Sequence, residues 1–288
     1  MNITHGTKPR IEMVADKKRP LWWLVNGEKK RITPKFKLMS KQREGSFTKL
    51  ETNKGVLVYN VWQNELLYTS DNLDDLCRVR KLDDHLYAIE YGRGDCRTCK
   101  LYTEYGALIR EFGKVSTLQN GLIAAKKDGK WGFIDEDAND VIPFIYQDVA
   151  NYNKYGYAVV DYDKQWTVDD SLKTVIDKQG NKLFEPIKCW AIYFTHEDRI
   201  VIEKDSRKGV FDITGKEIIP IIYNQIIVIG DFYKGLYKGK WGLLDKDGNI
   251  LFEPIYDEII ETPDKFVVKD FARKEVTKTR EVSRRKEE

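Results

Sequence analysis

"KWGLLDKDGNILFEPIYDEI" occupies residues 240–259, and "KWGFIDEDANDVIPFIYQDV" occupies residues 130–149. Laid over each other without a gap, the two agree at Lys, Trp, Gly, two Asp, Asn, Ile and Tyr. A phrase written twice is either a twice-used active site or a twice-used building block. Its residue types point to the second. Asp128-Gly129, just ahead of the earlier phrase, is a hairpin signal, because a tight two-residue turn needs positive φ at both central positions. Asp135 and Asp245 then open a further turn, where a carboxylate can accept backbone amides two residues on. The segment "VIPFIY" or "ILFEPIY" reads as a third strand that stops near Pro143 or Pro254, since proline has no N–H for a sheet ladder.

The phrase also recurs in degraded forms. "RKGVFDITGKEIIPIIYNQI" (207–226) has Lys208 where Trp belongs, and "KTVIDKQGNKLFEPIKCW" (173–190) keeps Asp177, Gly180 and Pro186. Weaker copies follow "CKLYTEYGALIREFGKV" (99–115), "KGVLVYNVWQNELLYTS" (54–70) and "LWWLVNGEKKRITPKF" (21–36). The Asp place falls at Leu24, Val58, Thr103, Asp135, Asp177, Asp212 and Asp245, which makes seven copies with a period near 33 residues. A sustained period of this size means a repeat architecture in which no copy buries its own face, so neighbours must stack. Trp131 and Trp241 are expected to be buried between copies, each beside a Gly that lets another group come close.

Trp131-Gly132 with Asp135, Pro143 and Tyr146, and Trp241-Gly242 with Asp245, Gly248, Pro254 and Tyr256, resemble the bacterial WG-repeat family, also called KWG repeats. The resemblance covers roughly residues 120–260. It implies a structural class and carries no common activity.

Composition places the chain among globular proteins. It has 288 residues, 41% hydrophobic and 33% charged, with 16 Tyr and 7 Trp, a bias toward strands. No apolar run reaches the ~20 residues of a membrane helix, and the first residues have no apolar core of signal-peptide length, so a cytoplasmic protein without a membrane partner is expected. Charge is polarised. Residues 1–49 hold 13 Lys/Arg against 4 Asp/Glu, residues 50–268 hold 28 against 37, and residues 269–288 hold 8 against 5. A basic front on an acidic body suits either a solvated arm or an anionic partner.

Chemistry-bearing motifs are few. GxxxxGK[ST], HExxH and GxSxG do not occur. Cys77, His85, Cys96 and Cys99 could form a Cys₃His structural zinc site, with the CxxC at "CRTC" as its core. The competing reading makes these cysteines small core residues. The insertion "NYNKYGYAVVDYDKQWTVDDSLKT" (151–174) gathers Tyr152, Tyr155, Tyr157, Tyr162 and Trp166 on a hairpin, either as an aromatic partner-binding surface or as repeat core. Lys8, Arg10, Lys17, Lys18 and Arg19, with Trp22 and Trp23 for stacking, could hold a nucleic-acid backbone. Ile11, Met13 and Val14 allow instead a first strand pairing with Leu21–Leu24.

The fold class expected is an all-β tandem array of about seven three-stranded, hairpin-like repeats in a solenoid-like superhelix, with a β-propeller as the alternative. Its segments are a basic arm (1–20), divergent repeats (21–119), clear repeats (120–265) and a charged tail (266–288). The expected function is a non-enzymatic scaffold that binds a protein, needs no cofactor and presents a curved β surface. The alternative is a nucleic-acid-associated protein.

Overall fold

The computed structural model describes residues 11–61, 63, 65–71, 76–92, 97–163, 170–262 and 266–270. Among these there is no helix; the chain forms eight small antiparallel sheets in tandem, each open rather than closed into a barrel. It divides into two compact units, residues 1–154 and 155–288.

In the first unit, Glu12–Ala15 pairs with Trp22–Val25. Three four-stranded meanders follow: Leu38–Glu44, Phe47–Thr52, Gly55–Asn60 and Glu65–Ser70; Leu76–Lys81, Leu86–Gly92, Thr98–Thr103 and Leu108–Phe112; then Lys114–Val115, Ile123–Lys127, Lys130–Ile134 and Asp140–Tyr146. In the second unit, Ala158–Asp161, Ser171–Ile176 and Ile187–Cys189 belong to the fifth sheet. The sixth is Ala191–His196, Arg199–Lys204, Arg207–Asp212 and Glu217–Tyr223; the seventh is Gln225–Ile229, Phe232–Tyr237, Lys240–Asp245 and Ile250–Tyr256. Glu258–Glu261 pairs with Phe266–Lys269 to end the series.

The expected three-strand unit is therefore the inner part of a four-stranded sheet. The added opening strand starts just after the Tyr of the preceding copy, at "QII" after Tyr223 and "EII" after Tyr256. It is short, and the phrase quoted above already contained it.

The turns explain the repeat's punctuation. Between the two middle strands, Asp128-Gly129 has φ of 51° and 80°, and Lys238-Gly239 has 49° and 81°, the mirror-type turn that follows the strand twist. At the next turn, the Asp135 carboxylate accepts the amides of Asp137 (3.0 Å) and Asn139 (2.7 Å). Asp177, Asp212 and Asp245 do the same for the residues two and four places on. Asn26 repeats this geometry toward Glu28 and Lys30, and Asn60 accepts the Gln63 amide. The marker of the first two copies is thus Asn26 and Asn60, two residues later than Leu24 and Val58. An aspartate at these turns has a structural task, which satisfies backbone donors that water or another strand would otherwise have to meet.

The closing strands run through their prolines instead of stopping there. Trp131 pairs with Tyr146 and Phe133 with Ile142, so Pro143, Phe144 and Ile145 form a bulge opposite Gly132. The sixth and seventh sheets repeat it at Pro220 and Pro254. A proline fits there because a bulged residue has no ladder bond to donate. The glycine fits because a Cβ on Gly132 would stand 2.6 Å from the Ile142 carbonyl, and one on Gly209 2.6 Å from that of Ile219.

The core lies between successive sheets. Leu86, Ala88, Cys99 and Leu101 of the third meet Ile123, Ala125 and Ile134 of the fourth. Val201, Val210 and Ile219 of the sixth meet Tyr233 and Leu244 of the seventh. Burial of this kind is the main favourable term in folding, and no single sheet here could supply it alone.

Candidate interaction surface

Trp131 and Trp241 are half-buried rather than enclosed. The fully buried residues are the next three, Gly132-Phe133-Ile134 and Gly242-Leu243-Leu244, which alternate between the two faces of the strand. Trp241 packs against the Leu243, Phe252 and Ile259 core of the seventh and eighth sheets, and lysines flank both rings: Lys114 and Lys126 stand 5.7 and 6.0 Å from the Trp131 ring, and Lys234 stands 4.5 Å from that of Trp241. A ring with a stem and an ammonium across it is held by apolar contact and by cation–π attraction.

The residue facing the Trp place across the sheet changes with its occupant. Lys126 faces Trp131, Leu236 faces Trp241, Glu203 faces Lys208 and Asp161 faces Lys173. Where Trp is replaced by Lys, the opposite residue is an acid, giving Lys208–Glu203 at 3.4 Å and Lys173–Asp161 at 2.9 Å.

The second of these belongs to a cluster that no sequence motif marks. The Asp161 and Lys173 side chains are only 5% and 13% exposed. Lys173 donates to Asp161, to Ser171 Oγ and, at 3.3 Å, to the Cys189 carbonyl; Ser171 donates to Asp161 at 2.5 Å. As whole residues, Ser171 and Asp161 are each only 4% exposed. The cluster fastens the hairpin of the fifth sheet.

The residues singled out by sequence fall as follows. Lys8, Arg10, Cys96 and Trp166 lie outside the described residues. Tyr152 is 1% exposed and meets Phe133 edge-on, centroids 4.8 Å apart, so it is core. Tyr155, Tyr157 and Tyr162 are half-buried, and Tyr157 stacks on Phe194. The aromatic run thus works partly as packing.

Ile11 is buried, and Met13 and Val14 pair with Leu24 and Trp23 in the first strand, Glu12–Ala15. Lys17, Lys18 and Arg19 are exposed in the turn that follows. Trp22 packs on the Leu24–Phe36 core, and Lys35 lies 5.0 Å from the Trp23 ring while pairing with Asp16 at 2.6 Å. That lysine's hydrogen bond, with the Lys18 amide, holds the Asp16 carboxyl below its usual value.

The zinc set is not brought together. Cys77 faces Tyr91 and Cys99 faces Glu90, adjacent residues of one strand, so the two thiols point to opposite sides of the third sheet and enter different cores. Burial pushes Cys77 up to about 11 and Cys99 up to about 12, keeping both as thiols. His85 is exposed and its Nδ1 lies 2.7 Å from Glu104, whose hydrogen bond raises the imidazole's pKa.

What the sequence reading passed over is the closing strand. Its outward positions carry aliphatics in copy after copy: Val141 and Ile145 (42% and 50% exposed), Ile222 (42%), and Ile250 and Ile255 (50% and 59%). The only charged residue within each strand is a carboxylate, at Asp140, Glu217 and Glu253. The signal was the repeated apolar pair around each proline, which strand alternation alone would have turned inward.

A profile for the WG containing repeat matches residues 110–131, 131–166, 209–238 and 241–264. The chain carries WG repeats at these four places. The profile passes over 167–208, where Lys173-Thr174 stands in place of Trp-Gly. No curated protein matches the chain. Among solved structures, a eukaryotic initiation factor is 11% identical over 89% of this chain and 77% of its own, with a TM-score of 0.39. Kluyveromyces lactis Hsv2 is 12% identical over 84% of this chain and 96% of its own, with a TM-score of 0.35. Likenesses this distant carry no argument about function.

Proposed function

We propose that this array of WG repeats is a non-enzymatic scaffold that holds a protein partner on the closing strands of its sheets. The observation that carries the reading is recurrence: the exposed Ile145, Ile222 and Ile255 occupy one repeat position in the fourth, sixth and seventh sheets, while Ile142, Ile219 and Phe252, three residues earlier, are buried. Packing explains the buried set and leaves the exposed set without a task inside the chain. Exposed apolar strips with a polar rim are a mark of interaction surfaces. An enzymatic reading would have to use the Asp161–Ser171–Lys173 cluster, where Ser171 and Asp161 are only 4% exposed and closed to a substrate.

The test is affinity capture from the host with the wild-type chain and with Ile222→Asp/Ile255→Asp. The expected result is a protein recovered by the wild type and lost from the variant, with unchanged melting temperature. Equal recovery by both would remove this surface from the proposal. A second reading, nucleic acid held by the exposed Lys17-Lys18-Arg19 turn, predicts instead that Lys17→Ala/Lys18→Ala/Arg19→Ala abolishes capture and that binding falls steeply with salt.

A further inference from the structure

We propose that the closing-strand face of the second unit takes an extended peptide segment in which apolar residues alternate with lysine or arginine, gripped by side chains and not by strand addition. The proposal rests on the scaffold reading above and names the class of partner.

Two strands build the face. Gly248, in the turn ahead of Ile250–Tyr256, lies against the start of Glu217–Tyr223: a Cβ there would meet the Ile218 carbonyl at 2.2 Å. The strips of the sixth and seventh sheets therefore adjoin. Outward stand Pro220, Ile222, Ile250 and Ile255, with Glu217 and Glu253. Neither strand has a cation of its own; Arg207 of the adjacent strand is held on the Ile222 carbonyl at 2.9 Å. The turns ahead of them balance their own charges, Lys216 close to Asp212 in sequence and Lys246 between Asp245 and Asp247. A partner with branched or long apolar side chains would cover the isoleucines, and one with cations between them would complement the two carboxylates. An acidic or purely apolar segment would leave those carboxylates desolvated without a partner, a cost of the kind that makes interfaces selective.

The backbone argues against strand addition. Both closing strands are the last strand of their sheets, which would ordinarily make them templates for another chain. Each is broken by a three-residue bulge containing a proline, Pro220 or Pro254. A bulge turns the strand's donors and acceptors out of register and proline removes a donor, two established ways of blunting an edge.

The probe is a labelled 12-residue peptide of alternating lysine and leucine, titrated with the full chain and read by fluorescence anisotropy. Its binding should weaken about tenfold or more on Ile222→Ser/Ile255→Ser and likewise on Glu217→Gln/Glu253→Gln, the latter also flattening the salt dependence. Asp205→Asn/Asp231→Asn, which removes two exposed carboxylates elsewhere in the same unit, should leave it unchanged. Equal weakening by that control pair would reduce the effect to general acidity and overturn the proposal, as would equal binding of an alternating glutamate–leucine peptide. The lysine–leucine peptide methylated on alternate backbone amides should bind as well as the parent; its failure would show strand addition and overturn the side-chain grip. If no peptide binds while the host protein is still captured by the wild type and lost from Ile222→Asp/Ile255→Asp, the partner class falls and the scaffold reading stands.

Discussion

Where the fourth sheet has Trp131-Gly132, the fifth has Lys173-Thr174, and the difference reaches across the sheet. Gly132 lets the bulged closing strand bring the Ile142 carbonyl within 2.6 Å of where a Cβ would be, and that strand runs for seven residues, Asp140–Tyr146. Thr174 fills the corresponding space. Its hydroxyl donates to the Phe184 carbonyl at 2.7 Å, and the closing strand is cut to Ile187–Cys189. The neighbouring position follows suit. A Trp at that place is served by a lysine stem and ammonium; a lysine there needs a carboxylate, and Asp161 supplies it. One backbone plan thus admits an aromatic and a charged solution, each consistent only as a set.

Breaking the charged set should have the largest effect. Lys173→Ala leaves the Asp161 carboxylate enclosed without its ammonium, an expected loss of ~3–5 kcal/mol in urea unfolding. A loss below about 1 kcal/mol would mean that water compensates the carboxylate and that the fifth sheet is less closed than its geometry indicates. Asp161→Leu/Lys173→Trp/Thr174→Gly, which installs the pairing of Leu236 with Trp241-Gly242, should recover most of that loss.

Next in size is the glycine. Gly209→Val places side-chain carbon against the Ile219 carbonyl and the Ile221 amide, both backbone groups that cannot step aside, and should cost about 2–3 kcal/mol. Thr174→Gly, the reverse exchange, removes one hydrogen bond and adds backbone freedom and should cost about 1–2 kcal/mol. If Gly209→Val were no worse than Thr174→Gly, close approach would not be why the glycine recurs. Trp241→Ala should cost about 1–2 kcal/mol, less than the ~3–5 of a fully enclosed aromatic, because the ring is half-buried beneath Lys234. Thermal melting of the three variants orders them.

Much of this was legible in the sequence, because turn chemistry is local. Asp128-Gly129 and the Asp135, Asp177, Asp212 and Asp245 turns need only their own few residues, and they disclosed the period. Burial depends on the neighbouring sheet, and there reading along the chain misled. Trp131 is large and apolar, yet it stays half-buried beneath lysines, while the adjacent glycine makes room for the bulge. The opening strand was overlooked because two to five residues directly after a tyrosine carry no period of their own. Cys77 and Cys99 looked like partners because sequence spacing is blind to which side of a sheet a residue faces.

The smallest effect concerns the Asp turns, and it separates charge from shape. Asp212 accepts the Thr214 amide (2.9 Å) and hydroxyl (2.6 Å) and the Lys216 amide (3.0 Å). Asn26 performs the same task in the first copy with a neutral side chain, so the fold does not require the charge for the shape. Burial pushes the Asp212 carboxyl up, but those hydrogen bonds and the nearby Arg199 outweigh it and hold the group below its usual value. A carboxyl whose value is lowered by folding contributes stability above its unfolded value and loses that contribution as pH falls through the folded one. Asp212→Ala, which removes the acceptor entirely, should cost about 1 kcal/mol at neutral pH. Asp212→Asn should cost less, and the gap between wild type and this variant, followed by melting temperature, should be constant near neutrality and shrink below about pH 4. A gap that persists at low pH would assign the turn's stability to hydrogen-bond geometry alone, and Asp212 would then be equivalent to Asn26 in substance as well as in position.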